Sequence, residues 1–166
     1  MTGWQHDQRW ADRFVPEVKH VLGFYLIGRA DQDEDQLHNT DLVVLKMDSV
    51  RVACRIRRNE FLLKYPYEFT IRAGRPSGAK TELAKVIEGW GDYLFYGFAD
   101  AGENSLAAWF LGDLGVFRGW YSDALIRSNG HPPGRLRFNR DGSSSFHAFE
   151  LKDMPDSFVI GYSWQT

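Results

Sequence analysis

Apolar and polar positions follow two different periods along this chain, and the switches between them outline its elements. Over about 13–26, Phe14, Val18, Val21, Leu22 and Tyr25 fall on one helical stripe. Asp12 is placed to cap that helix, Pro16 sits in its first turn, and Gly28 ends it. The residues before it, 1–10, read as a loose polar and aromatic arm. At 40–58 the period falls to two. Two apolar strands are expected there, joined as a hairpin by a turn at Asp48-Ser49. On the second strand Arg51, Ala53, Arg55 and Arg57 share one face, and Val52, Cys54 and Ile56 share the other.

A link at 61–66 leads to a third strand at 67–73, with Phe69 and Ile71 on one face and Glu68, Thr70 and Arg72 on the other. Ser77 caps an expected second helix at 79–88, which buries Leu83, Val86 and Ile87. A fourth strand follows at 92–98, then another at 106–111. A short helix after Asp113 carries Val116, Phe117, Trp120 and Tyr121, with Asp113 and Arg118 as a local pair. The chain closes with a hairpin of 135–138 and 145–151 and a last strand at 158–164. The expected fold is α+β, a mixed β-sheet flanked by helices. Its core order is helix-strand-strand-strand-helix-strand, with a C-terminal β extension. One domain is expected over 1–166, its core at about 12–117 and the extension at about 118–166.

Composition narrows the picture. Aromatics make up 15% of the chain, enough to fill a core and to argue against disorder. The net charge of −2 sets up no global basic field. The charge is nevertheless segregated, acidic at 31–35 and basic at 51–58. The acidic run alternates as a calcium loop does. Gln36, however, stands in place of the turn glycine and Leu42 in place of the closing glutamate, so it reads as a solvated loop. A single cysteine excludes an intrachain disulfide framework and a cysteine zinc site, and it suits a reducing, cytoplasmic setting. Cys54 reads as a small buried hydrophobe. The five histidines show no metal spacing, although His38 lies close to Asp41. No apolar run reaches membrane length, and the N-terminus is not a signal peptide.

Candidate chemistry centres on the row of arginines, which demands either an internal carboxylate or a phosphate. The element order, with Asp41-Leu42-Val43-Val44-Leu45-Lys46 followed by Val50-Arg51-Val52-Ala53-Cys54-Arg55-Ile56-Arg57, resembles the PD-(D/E)XK nuclease superfamily over about 12–98. The likeness is nearest to the hairpin of the Holliday-junction-resolvase branch. It implies a metal-dependent nuclease acting on DNA, with Mg2+ or Mn2+ held by Asp41 and by Glu17 on the first helix. It also implies a homodimer as one mode of assembly, and a phage or mobile-element setting. The chain departs from that family where Arg55-Ile56-Arg57 stands in place of the acid-x-lysine motif. Either an acid has migrated, with Glu68 or Glu82 completing a catalytic set with Asp41, Arg55 and Arg57, or catalysis is lost. In the second case the protein is a binding module for nucleic acid or for an acidic protein. Arg55, Arg57, Arg72, Arg75, Lys80 and Lys85 form the expected DNA-binding patch under either outcome.

A second motif competes. The stretch from Gly74 to Thr81 matches a nucleotide-binding P-loop except that Ala79 replaces the last glycine, with Lys80 and Thr81 as phosphate and magnesium ligands. Trp90, Tyr93, Tyr96, Trp109, Trp120 and Tyr121 are candidates for base stacking, although core filling also accounts for them.

Overall fold

The described residues of the computed structural model are 3–29, 42–44 and 50–164. The acidic run at 31–35, His38, Asp41, the turn at Asp48-Ser49 and the Tyr25 side chain lie outside them. The described chain is α+β. Two helices come first, α1 (Gly3–Asp12) and α2 (Val15–Leu26), then strands β1 (Ile27–Arg29), β2 (Leu42–Val44) and β3 (Val52–Arg57). Helix α3 (Asn59–Lys64), β4 (Glu68–Gly74), α4 (Glu82–Ile87), β5 (Tyr93–Ala99) and β6 (Leu106–Asp113) follow. The chain then forms α5 (Leu114–Arg127), β7 (Arg135–Phe138), β8 (Ser145–Glu150), two short 3-10 turns and β9 (Val159–Trp164).

Strand pairing departs from the hairpin expected at 40–58. Strand β2 pairs antiparallel with β1, Ile27 opposite Val44, and β3 pairs in parallel with β5. The principal sheet has the mixed order β3-β5-β6-β9, and a second, antiparallel sheet has the order β4-β8-β7. A parallel pair requires a crossover. Here residues 58–92 provide it, and they carry α3, β4 and α4 with them. Strand β4 is thereby lifted out of the first sheet and founds the second one above it.

Aromatic side chains weld the layers. Leu94, Tyr96 and Phe98 of β5, with Phe110 of β6, meet Phe69 and Ile71 of β4, Phe117 and Tyr121 of α5, Phe149 and Phe158. The opposite face of the sheet, with Phe95, Leu111, Val52 and Ile56, packs on Phe14, Val18, Val21 and Leu22. Phe14, Val18, Val21 and Leu22 of the stripe read from the sequence therefore form the inner face of α2 and of the turn before it. Gly112 is required where it stands, because a Cβ there would lie 2.6 Å from the ring of Phe158.

Several local readings change. The N-terminal arm is helical at Gly3–Asp12, and Trp10 anchors it, its ring 5.1 Å from that of Phe14. The link at 61–66 contains α3. Asp113 caps α5 by accepting from the N–H groups of Gly115 and Val116 at 2.6 and 3.1 Å. Arg118 turns instead to the carbonyl of Gly91, at 3.0 Å. Cys54 is exposed, on the edge strand β3. No helix among the described residues is long and apolar enough to cross a membrane.

Glu103, in the turn between β5 and β6, ties this frame to α1. It accepts from the Trp10 indole at 2.6 Å, pairs with Arg58, and lies 3.6 Å from Arg13. The Trp10 hydrogen bond, then Arg58 and Arg13, hold its carboxyl below the ordinary glutamate value. A depressed folded-state pKa gives stability that is present above the unfolded value and is lost as pH falls through the folded one. Amide exchange in α1, corrected for intrinsic rates, is expected to accelerate on acidification below the glutamate range. In Glu103→Gln it should instead be fast already at neutral pH and change little with acid.

Candidate functional site: a cationic cleft between the sheets

The alternation on β3 places its arginines inward. Register with β5 sets Ala53, Arg55 and Arg57 beside Leu94, Tyr96 and Phe98, on the face covered by the second sheet. Their surroundings differ. Arg55 meets the Glu82 carboxylate of α4 at 3.0 Å, so its charge is answered inside the protein. Arg57 has no carboxylate within ion-pair distance among the described residues. Its guanidinium lies 3.9 Å from the centre of the Phe61 ring and 3.5 Å from the Thr70 hydroxyl. Burial pulls its pKa below the ordinary arginine value; Tyr96, Glu68 and Glu60 oppose that pull and Arg55 adds to it. An arginine nevertheless stays charged at neutral pH.

Arg57 lies in a cleft of about 560 Å³. Thr70, Tyr96 and Phe98 line it from the strands, and the Thr70 and Tyr96 hydroxyls are 3.2 Å apart. Helix α3 contributes Glu60, Phe61 and Lys64, with Tyr65 just after it. The β7–β8 hairpin contributes Arg137, Phe138, Asn139, Arg140 and Phe146. Glu68, only 6% exposed at its side chain, is neutralised by Arg135 at 2.7 Å and Arg137 at 3.1 Å. Arg137 also lies over the Tyr65 ring, 4.9 Å from its centre. Four cations therefore line the cleft, Arg57, Lys64, Arg137 and Arg140, against two carboxylates, Glu60 and Glu68, the second of them paired with Arg137. The balance favours an anion.

The other predicted site residues are dispersed. Glu17 accepts from the backbone N–H of Leu106 at 2.9 Å, on the α2 side of the sheet and away from the arginine face. Arg72 is half-buried, and its backbone N–H points at Glu82, 3.4 Å away. Arg75 and Lys85 are exposed near α4, while Lys80 pairs with Glu88 at 2.5 Å. The expected DNA patch is thus split, with Arg57 in the cleft and the rest around α4. The described carboxylates Glu17, Glu68 and Glu82 are each engaged elsewhere and do not fit a shared Mg2+ or Mn2+ centre. No group of three or more metal-ligating side chains gathers among the described residues.

The loop from Gly74 to Thr81 does not assemble a nucleotide cradle. Helix α4 starts at Glu82 rather than 79, and Thr81, not Ser77, caps it by accepting from the Ala84 N–H at 3.3 Å. That hydroxyl and the Lys80 ammonium are both in use. Of the stacking candidates, Tyr96 and Tyr121 are buried in the core. Trp90 is exposed beneath Arg51, whose guanidinium is 5.6 Å from the ring centre.

The sequence reading missed Lys64, Arg137, Arg140 and Phe138. The signal for two of them was available, since Arg135 and Arg137 alternate on one strand face with Phe138 beside them. That this hairpin lies across the cleft from Arg57 depends on β8 pairing with β4, which no local pattern announces. No known protein family, curated protein or solved structure matches this chain.

Proposed function

We propose that this protein binds nucleic acid, taking a backbone phosphate on Arg57 in the cleft between its two sheets. The observation that carries the reading is the half-buried charge of Arg57, with no carboxylate within ion-pair distance among the described residues. Such a group binds an anion with little further desolvation, and its planar fork matches phosphate geometry. Arg137, Arg140 and Lys64 line the same cleft and extend the positive surface. The carboxylates described here support binding rather than metal-assisted hydrolysis.

Fluorescence anisotropy with labelled DNA tests this. Binding is expected to weaken steeply as salt rises and to survive a chelator. Arg57→Ala is expected to weaken it at least tenfold. Absence of binding at low salt overturns the proposal. Manganese-dependent cleavage that Asp41→Asn abolishes would replace it with the nuclease reading.

A further inference from the structure

We infer that the cleft takes an unpaired base together with its phosphate, so that the ligand is single-stranded nucleic acid. This rests on the phosphate reading and names the form of polymer that the same site selects. The volume of about 560 Å³ lies within the ~300–1,000 Å³ of clefts that hold small ligands. A base still stacked in a duplex offers such a cleft only its backbone, whereas an unpaired base can enter with its ring faces free.

The aromatic residues decide the point. Phe61 is covered by Arg57 and Tyr65 by Arg137, at 3.9 and 4.9 Å, so those two rings already carry cations. Phe138 is different. It lines the cleft, is 70% exposed, and faces no ring or guanidinium among the described residues. Its neighbour in the hairpin is Arg140, a cleft-lining cation with no carboxylate within ion-pair distance among the described residues, which can hold a phosphate beside a base stacked on Phe138. The Asn139 amide nitrogen, which could have donated to a base edge, already donates to the hydroxyls of Ser143 and Ser144 at 3.2 and 2.8 Å. Stacking on Phe138 with a backbone charge held beside it makes the site tolerant of base identity.

The test compares three DNA ligands on the full chain: a short single strand, the same strand made abasic throughout, and the duplex. The abasic strand keeps every phosphate and loses every base. The single strand is expected to bind about tenfold tighter than either of the others. Phe138→Ala should bring the single strand down to the abasic level and leave abasic binding unchanged. Phe138→Trp should restore the difference. Because Phe138 is exposed, these variants keep the core intact. Equal binding of normal and abasic strands, or a Phe138→Ala variant indistinguishable from the parent, overturns the inference and leaves the phosphate reading standing. Failure of all three ligands to bind removes both. Displacement of the single strand by a polyglutamate peptide more readily than by the abasic strand would also overturn it, in favour of an acidic protein partner.

Discussion

Arg57→Met is expected to lose most nucleic-acid binding while keeping or raising stability. A charge-assisted hydrogen bond to phosphate contributes about 1.5–3 kcal/mol, which corresponds to about 10- to 150-fold in affinity. The dependence of log affinity on log salt should flatten by about 0.7 for a single strand, the share of one phosphate contact. Folding responds in the opposite sense. The native state holds this guanidinium half-buried, with no carboxylate within ion-pair distance among the described residues, beside the Thr70 hydroxyl and the Phe61 ring. Methionine has similar length, carries no charge and can fill the same space beside Phe61 and Phe98. Chemical denaturation should show a gain of up to about 1 kcal/mol. A loss of more than about 1 kcal/mol would identify Arg57 as a structural tie between β3 and β4 and would remove the argument for a ligand. Arg55 supplies the contrast. Arg55→Met removes a partly exposed ion pair with Glu82, so it should lower stability by no more than about 1 kcal/mol and change binding little.

Phe69→Ala is expected to be the most damaging single change to the fold. Phe69 is fully buried on β4 and meets the rings of Tyr96, Phe110, Phe117, Phe149 and Phe158, with centres 5.3 to 6.2 Å away. Those rings come from both sheets, from α5 and from the turn before β9, so one side chain joins four parts of the chain. Truncating a buried phenylalanine costs about 3–5 kcal/mol. In a protein of this size each kcal/mol lowers the melting temperature by about 2–4 °C, so calorimetry should show a fall of about 6–20 °C. Phe69→Leu keeps most of the volume and should cost about 1–2 kcal/mol. The leucine variant should still bind DNA at 25 °C. A Phe69→Ala effect below about 1 kcal/mol would mean that the two sheets are not joined as described.

What could be read without coordinates was local. The stripe on α2, the strands β4 to β9 and the inward arginine row all follow from period and turn residues, because strand and helix geometry place side chains by spacing alone. The hairpin expected at 40–58 failed for a different reason. Two apolar strands close in sequence pair most often with each other, yet β3 finds a longer apolar partner in β5 and buries Val52 and Ile56 on α2 by doing so. Helix α4 begins later than expected because Thr81 offers a cap where Ser77 does not, and local competition between two capping residues is nearly balanced in energy.

The sequence by itself determined the α+β class, the alternation that turns Arg55 and Arg57 to one face, and the absence of a disulfide framework. Only the tertiary structure decided that those two arginines have different roles. Arg55 meets Glu82 because the crossover from β3 to β5 lays α4 beside it. Arg57, two residues on, faces an open cleft because α3 and the β7–β8 hairpin stand apart there. Charge and period are properties of neighbours in the chain. Whether a charge finds a counter-charge depends on segments dozens of residues away, brought together by burial of an aromatic core that selects shape and not charge.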